Sequence, residues 1–318
     1  MNLSRRTLLA STTLSLAVRS ACAAPPIKVQ VGWAAGGPVD TIFRMVTDAW
    51  ATELGQAVVL DNKPGVAGDI AAQFVLNAPA DGQTVFGGGI GVLGGLNATL
   101  YKSARYDAQR DFRLIGLATA NPSVLCVGRS VPVVNLAEFL KWVKNHPKAV
   151  SYASGGTGSS SHLSMALLEQ EANVSMIHVP YKSSPQGTTD LIGGIVDSRL
   201  LGVAEALAFK NESAVKQIAV TSLERHPSFP DLPTVSESLP GFEASFPSGM
   251  SVSSKTPQEV VQRLRDTLAA ALRRKDLREN LARAGSSQWN SQLSPDEYVK
   301  QEAAKWKRVI ARAGISAV

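Results

Sequence analysis

The sequence predicts an α/β protein of two domains, one inserted into the other. Three observations carry this. Short β-rich apolar runs alternate with amphipathic helical periods along the chain. Two glycine-bearing turns, Ala34-Ala35-Gly36-Gly37-Pro38 and Ser154-Gly155-Gly156-Thr157-Gly158-Ser159, each join such a run to a helix. Two extended stretches, 114–127 and 218–252, flank the second half and are placed to carry the chain out of the first domain and back.

In the first half, residues 27–33 read as a strand. The helix predicted over 39–54 puts Ile42, Phe43, Val46 and Trp50 on one face. A strand at 57–60, a helix at 69–77 and a strand at 84–86 follow. The second half repeats the unit, with helices at 136–144, 160–172 and 186–193 and strands at 149–153, 176–179 and 195–203. The C-terminal part is helical. Thr256-Pro257-Gln258-Glu259 opens a helix over 259–273, Gly285 ends the next short one, and Ser294-Pro295-Asp296-Glu297 opens the last, to about 313. Both openings offer a cap oxygen, a proline in the first turn and acids facing the dipole. These helices are expected to pack on the first domain.

The N-terminus reads as an export leader over 1–23. Arg5 and Arg6 precede an apolar run to Val18, and Ala21-Cys22-Ala23 is a small-x-small cleavage site. Ser4-Arg5-Arg6 is compatible with both general and twin-arginine export. Cleavage near Ala23 removes three arginines and no acid, so the formal charge falls from +6 to +3. The mature chain is therefore mildly basic, with no polybasic run suited to nucleic acid. It keeps Cys126 alone, which excludes an intramolecular disulfide and reads as a buried small hydrophobe.

The glycine turns carry the functional reading. A strand-to-helix turn leaves the first helical N–H groups without partners, and glycine lets a ligand's oxygens approach them closely. Two such turns in two halves of one chain read as the jaws of a cleft for a small anion. A hydrolase of a small ester or amide would instead use Ser159 with His162, but no Gly-x-Ser-x-Gly elbow precedes them. His162 reads better as a capping or interdomain hydrogen-bond residue. Gly87–Gly91 lacks the dinucleotide pattern, and the four histidines are too scattered for a metal site, so no cofactor or metal is expected.

Read in order, the chain resembles the Bug family, the TctC-like extracytoplasmic solute receptors of tripartite tricarboxylate transporters. The likeness rests on Gly36-Gly37-Pro38-Val39-Asp40 with Arg44, Asp61-Asn62-Lys63-Pro64-Gly65, Ala80-Asp81-Gly82-Gln83-Thr84, Leu100-Tyr101, Tyr152-Ala153-Ser154-Gly155-Gly156-Thr157-Gly158-Ser159 with His162, His178-Val179-Pro180-Tyr181-Lys182, and Leu232-Pro233-Thr234-Val235. It covers essentially the whole mature chain.

The resemblance implies a type II periplasmic-binding fold, two lobes with a hinge and a ligand cleft between them. Residues 24–122 and 225–318 would form one domain and 123–224 the inserted one. Such a receptor is a periplasmic, monomeric, non-catalytic protein. It holds a small organic acid and makes transient contact with membrane transporter subunits. Carried over, Ala35, Gly36 and Gly37 offer amides to one carboxylate, Ser154, Thr157, Gly158 and Ser159 grip the other end, and Gly88, Gly89 and Ile90 line the floor. Asp40 is a first-turn helix residue, since its charge repels a carboxylate. Three departures touch the site. Ala34 and Ala35 replace a proline-bearing stretch, Phe86-Gly87-Gly88-Gly89 replaces hydroxyl-bearing residues and leaves room for a bulkier guest, and Ser183 stands where glycine is usual. Trp33 either stacks on a flat ligand or packs into the domain interface.

Overall fold

The computed structural model describes residues 24–100, 105–182 and 184–316. The predicted leader, Tyr101 of the family pattern and Ser183 lie outside the described residues.

The first lobe begins with β1 (Ile27–Val31), α1 (Pro38–Leu54), β2 (Val58–Asn62), α2 (Asp69–Asn77) and β3 (Thr84–Gly89). Three short helices, α3 (Ile90–Leu93), α4 (Leu96–Leu100) and α5 (Ala108–Asp111), lead to β4 (Phe112–Asn121). The second lobe holds β5 (Ser123–Gly128), α6 (Leu136–Asn145), β6 (Ser151–Ser154), α7 (Ser160–Ala172), β7 (Ile177–Pro180), α8 (Ser184–Ile192), β8 (Ser198–Gly202), α9 (Val203–Ala208) and β9 (Val215–Val220). The chain then returns through β10 (Phe246–Ser253), α10 (Gln258–Leu272), α11 (Lys275–Arg283), β11 (Ser287–Gln288) and α12 (Pro295–Ala313).

Each lobe has its own sheet. The first runs β11-β4-β10-β3-β1-β2, with β1 parallel to β2 and β3, and β10 antiparallel to β3 and β4. The second runs β7-β6-β8-β5-β9, with β6 parallel to β7 and β8, and β5 antiparallel to β8 and β9. The chain passes between the sheets at Pro122 and again between β9 and β10. Thr221 ties the two crossings: its hydroxyl accepts the Ser123 N–H at 2.8 Å and donates to the Ala244 carbonyl at 2.9 Å.

The helix faces follow the apolar spacing. On α1, Phe43, Val46 and Trp50 are buried against α10, where the Trp50 indole donates to Thr267 Oγ1 at 3.0 Å. Burial of a side chain this large makes its truncation cost about 3–5 kcal/mol. Gly55 ends the helix at φ 62°, a conformation other residues adopt at a cost. Ser294 and Glu297 form the expected capping box on α12. The α10 opening differs from expectation. Pro257 itself is the N-cap residue and Thr256 Oγ1 is buried without a partner, because the first helical turn begins one residue beyond the hydroxyl's reach. The stretch 218–252 is also not one extended run: only its two ends are strand, and between them lies a short 3-10 turn capped by Thr234.

The last helix does more than pack on the first lobe. Gln170 of α7 donates to the Val309 carbonyl at 3.1 Å, so α12 bridges both lobes. Cys126 is fully buried, and burial pushes its thiol pKa well up. Among the described residues no helix is long and apolar enough to cross a membrane.

Candidate functional site

The first glycine turn, between β1 and α1, is held from within. Asp40 folds back so that its carboxylate accepts the Gly36 N–H at 2.9 Å, Arg44 Nε at 2.8 Å and Asn62 Nδ2 at 2.8 Å. The Arg44 hydrogen bond outweighs the cost of burial and holds Asp40 at a pKa of about 2. Gly37 donates to the Ala34 carbonyl at 3.4 Å. Two of the three amides expected to face a carboxylate therefore already have acceptors in this structure.

The second turn, between β6 and α7, is likewise stitched. Ser159 caps α7, accepting the His162 N–H at 3.3 Å, and its own N–H goes to the Gly156 carbonyl at 3.1 Å. Gly158 donates to His162 Nδ1 at 3.0 Å. Ser154 is buried, with its hydroxyl accepting the Gly156 N–H at 3.1 Å and meeting His178 Nε2 at 2.6 Å. The histidine rings stack at 3.7 Å. Burial, then the neighbouring His178, pushes His162 down to about 4, and burial lowers His178 as well.

Between the two turns lies a cleft of about 440 Å³. The first lobe contributes Trp33, Val39, Gly89, Ile90, Leu96, Asn97, Leu100 and Phe246, and the second contributes Thr157, Gly158, Ser159, Ser160 and Leu163. Its lining is mostly apolar, joined by hydroxyls, side-chain amides and the starts of α3 and α7. Among the described residues no charged side chain lines it. Behind Ser159 and Ser160 it adjoins a chamber of about 290 Å³, where Arg199 lies 4.0 Å from Glu205.

The structure thus brings Gly89, Ile90, Thr157, Gly158 and Ser159 to one cleft. Ala35, Gly36 and Gly37 sit on the connection between two residues that line it, Trp33 and Val39, and are not lining residues themselves. Gly88 and Ser154 lie behind the walls: a Cβ on Gly88 would stand 2.3 Å from the Phe86 ring. Ser183 is outside the described residues. Trp33 lines the cleft and also packs against the first-lobe core. Sequence reasoning missed Asn97, Asn121, Phe246 and Ser248. Asn121 carried a signal, standing at the end of one crossing stretch, where its amide donates to the Phe246 carbonyl at 2.8 Å and to Ser248 Oγ at 3.2 Å.

The proposed serine–histidine pair does not form. Ser159 meets the backbone N–H of His162, while the ring Nδ1 is taken by Gly158.

The sequence model for the tripartite tricarboxylate transporter family receptor matches residues 42–315. The chain belongs to that family. The receptor is 33% identical to a UPF0065 protein in the tcbD-tcbE intergenic region of Pseudomonas sp. strain P51, over 99% of this chain and 96% of that one. The solved structure of the periplasmic binding protein BugD is similar to it with a TM-score of 0.74 and 31% identity, covering 92% of this receptor and 99% of BugD. The Rhodopseudomonas palustris protein Rpa4515, solved with adipate, gives a TM-score of 0.76 at 29% identity over 92% and 98% of the two chains. The two-lobed fold is that of these periplasmic solute receptors, and with it comes solute binding for transport.

Proposed function

We propose that this receptor captures a small organic acid with an apolar middle in the cleft between its lobes, hands it to membrane transporter subunits, and leaves it chemically unchanged. The observation that carries this is the lining of the cleft: mostly apolar side chains from both lobes, joined by hydroxyls and helix starts, and among the described residues no charged group. Such a lining favours a carboxylate held by N–H and O–H donors over one held by an ion pair, and it pays desolvation best for a guest whose centre is apolar. Thr157, Gly158, Ser159, Gly89 and Ile90 contact the solute, and Trp33 covers its flat or aliphatic part. Closure swings residues 123–224 against 24–122 and 225–318 about Pro122 and the β9–β10 connection. The chain is exported, is cut after Ala23 and works as a monomer.

The test is a thermal-shift panel of malate, adipate, benzoate and terephthalate. A ligand at a hundred times its dissociation constant stabilises by about 2.7 kcal/mol. Adipate, benzoate or terephthalate should exceed malate, titration should give one site per chain, and the acid should be recovered intact. Saturating acid should also lower the radius of gyration in small-angle scattering. Turnover of the acid, or no shift with any of the four, would sink the reading. Intact mass of exported protein should begin at Ala24.

A further inference from the structure

Three rings stack beneath the second jaw. Tyr152 from β6, His178 from β7 and His162 from the first turn of α7 lie face on, with 5.1 Å between Tyr152 and His178 and 3.7 Å, at 13°, between the histidines. Each histidine holds the loop that faces the cleft, His178 through Ser154 Oγ and His162 through the Gly158 N–H. A backbone N–H only donates, so Nδ1 of His162 is bare and the ring's proton sits on Nε2. Gly158 stands between Thr157 and Ser159, both in the cleft wall. Pulling its amide down onto His162 sets how those two neighbours face the solute.

We infer that His162 is the positioning residue of the second jaw, and that its stack on His178 ties solute capture to a proton: the jaw is set while both rings are neutral and slackens when His162 Nδ1 is protonated. This rests on the cleft being the solute site. The chemistry is one proton taken from solvent, with no bond to the solute made or broken. A protonated Nδ1 is a donor and cannot share a bond with the Gly158 donor. The resulting imidazolium would also stand against the face of a second, half-buried imidazole. Among the described residues the titratable groups facing His162 are His178 from β7 and Tyr152 from β6. Glu169, further along α7, faces Tyr152 instead and accepts the Met176 N–H at 2.6 Å. Among the described residues no charged side chain of the first lobe lines the cleft opposite. Burial and His178 keep His162 neutral through the neutral range, so the jaw opens in acid.

The test uses the mature chain and two variants, His162→Asn and His162→Leu. Asn places Oδ1 near the position of Nδ1, an acceptor that does not titrate; Leu removes the acceptor. Calorimetry with malate, adipate, benzoate and terephthalate is run from pH 8 to 3, through and below the His162 midpoint, beside NMR of the Gly158 amide and the His162 ring nitrogens. The parent's affinity for whichever acid binds should fall about tenfold per pH unit below the His162 midpoint. His162→Asn should bind within about threefold of the parent at pH 7 and lose that fall, which also subtracts the acid's own titration. His162→Leu should bind about tenfold or more weakly at pH 7 with unchanged circular dichroism. If the Leu variant does not fold, the Asn profile decides. A parent affinity that is flat or tightens in acid, or a folded Leu variant that binds as the parent does, overturns the inference. If none of the four acids binds, the solute reading fails. The Gly158 resonance then still decides positioning, since it must follow the His162 midpoint in the parent and not in the Asn variant.

Discussion

Gly158 of the second lobe and Leu100 of the first meet across the cleft, so close that a Cβ on Gly158 would stand 3.2 Å from Leu100 Cδ1. Gly158 also sits at φ 78°, where a side chain is strained. Gly158→Ala should therefore weaken solute binding by about 1–2 kcal/mol through two causes, backbone strain and obstructed closure. Leu100→Ala in the same chain relieves only the second. Calorimetry on the double variant should recover part of the loss, whereas no recovery at all would mean that the lobes do not close against this pair.

The two hydroxyls of the second jaw differ in what they hold. Ser159 caps α7, so Ser159→Ala should cost about 1 kcal/mol of stability as well as affinity. Thr157 lines the cleft and caps nothing. Thr157→Val should weaken binding by about 1–3 kcal/mol with little change in Tm, the range for a hydrogen bond to a charged group. A Thr157→Val variant that melts early and binds normally would assign the residue to folding instead.

Most of the fold was legible because the β-rich runs and the face of α1 follow simple periods. The strand at 84–86 extends in fact to Gly89, since glycine carries no β signal yet Gly87 packs where a Cβ would press on Phe43 and Val29. The helices α3, α4, α5 and α9 escaped because four to six residues are too few for a period to show. Within the site, the glycine turns pointed to the cleft. What they could not reveal is that Asp40 and His162 occupy the amides of Gly36 and Gly158. Those bonds depend on a side chain four residues along the chain folding back, and composition does not record that.

Acid should unfold the receptor in two stages. His162, His178 and His226 are all held below their ordinary value of 6.5 by burial, so the folded state prefers them neutral. Their contribution is complete above that value and is lost as pH falls through it toward about 4 for His162. Asp40, held at about 2 against an ordinary 3.8, contributes fully above 3.8 and loses its part only as pH falls toward 2. Melting from pH 8 to 3 should show Tm dropping by about 5 °C or more between pH 7 and 5. His162→Asn should shrink that first stage and leave the parts of His178 and His226, and a parent Tm constant down to pH 4 would contradict it.

Asn121 fastens the crossing between the lobes. Its amide donates to Phe246 O and Ser248 Oγ, and its Oδ1 accepts from Ser286 Oγ at 2.9 Å, so one side chain ties the end of β4 to β10 and to the segment before β11. Asn121→Leu keeps the branched outline of the side chain and removes every one of these bonds. The orphaned carbonyl and hydroxyls should cost about 1–3 kcal/mol in stability. With the first crossing no longer fastened to β10, the hinge resists opening less, and the lobes should stand wider apart without solute. Scattering should then give a larger radius of gyration for the solute-free variant than for the solute-free parent, and a larger compaction when adipate or another acid of the panel binds. Equal radii beside a lowered Tm would make Asn121 a support of the β4–β10 pair alone, with the hinge set by Thr221 and its bonds to Ser123 and Ala244.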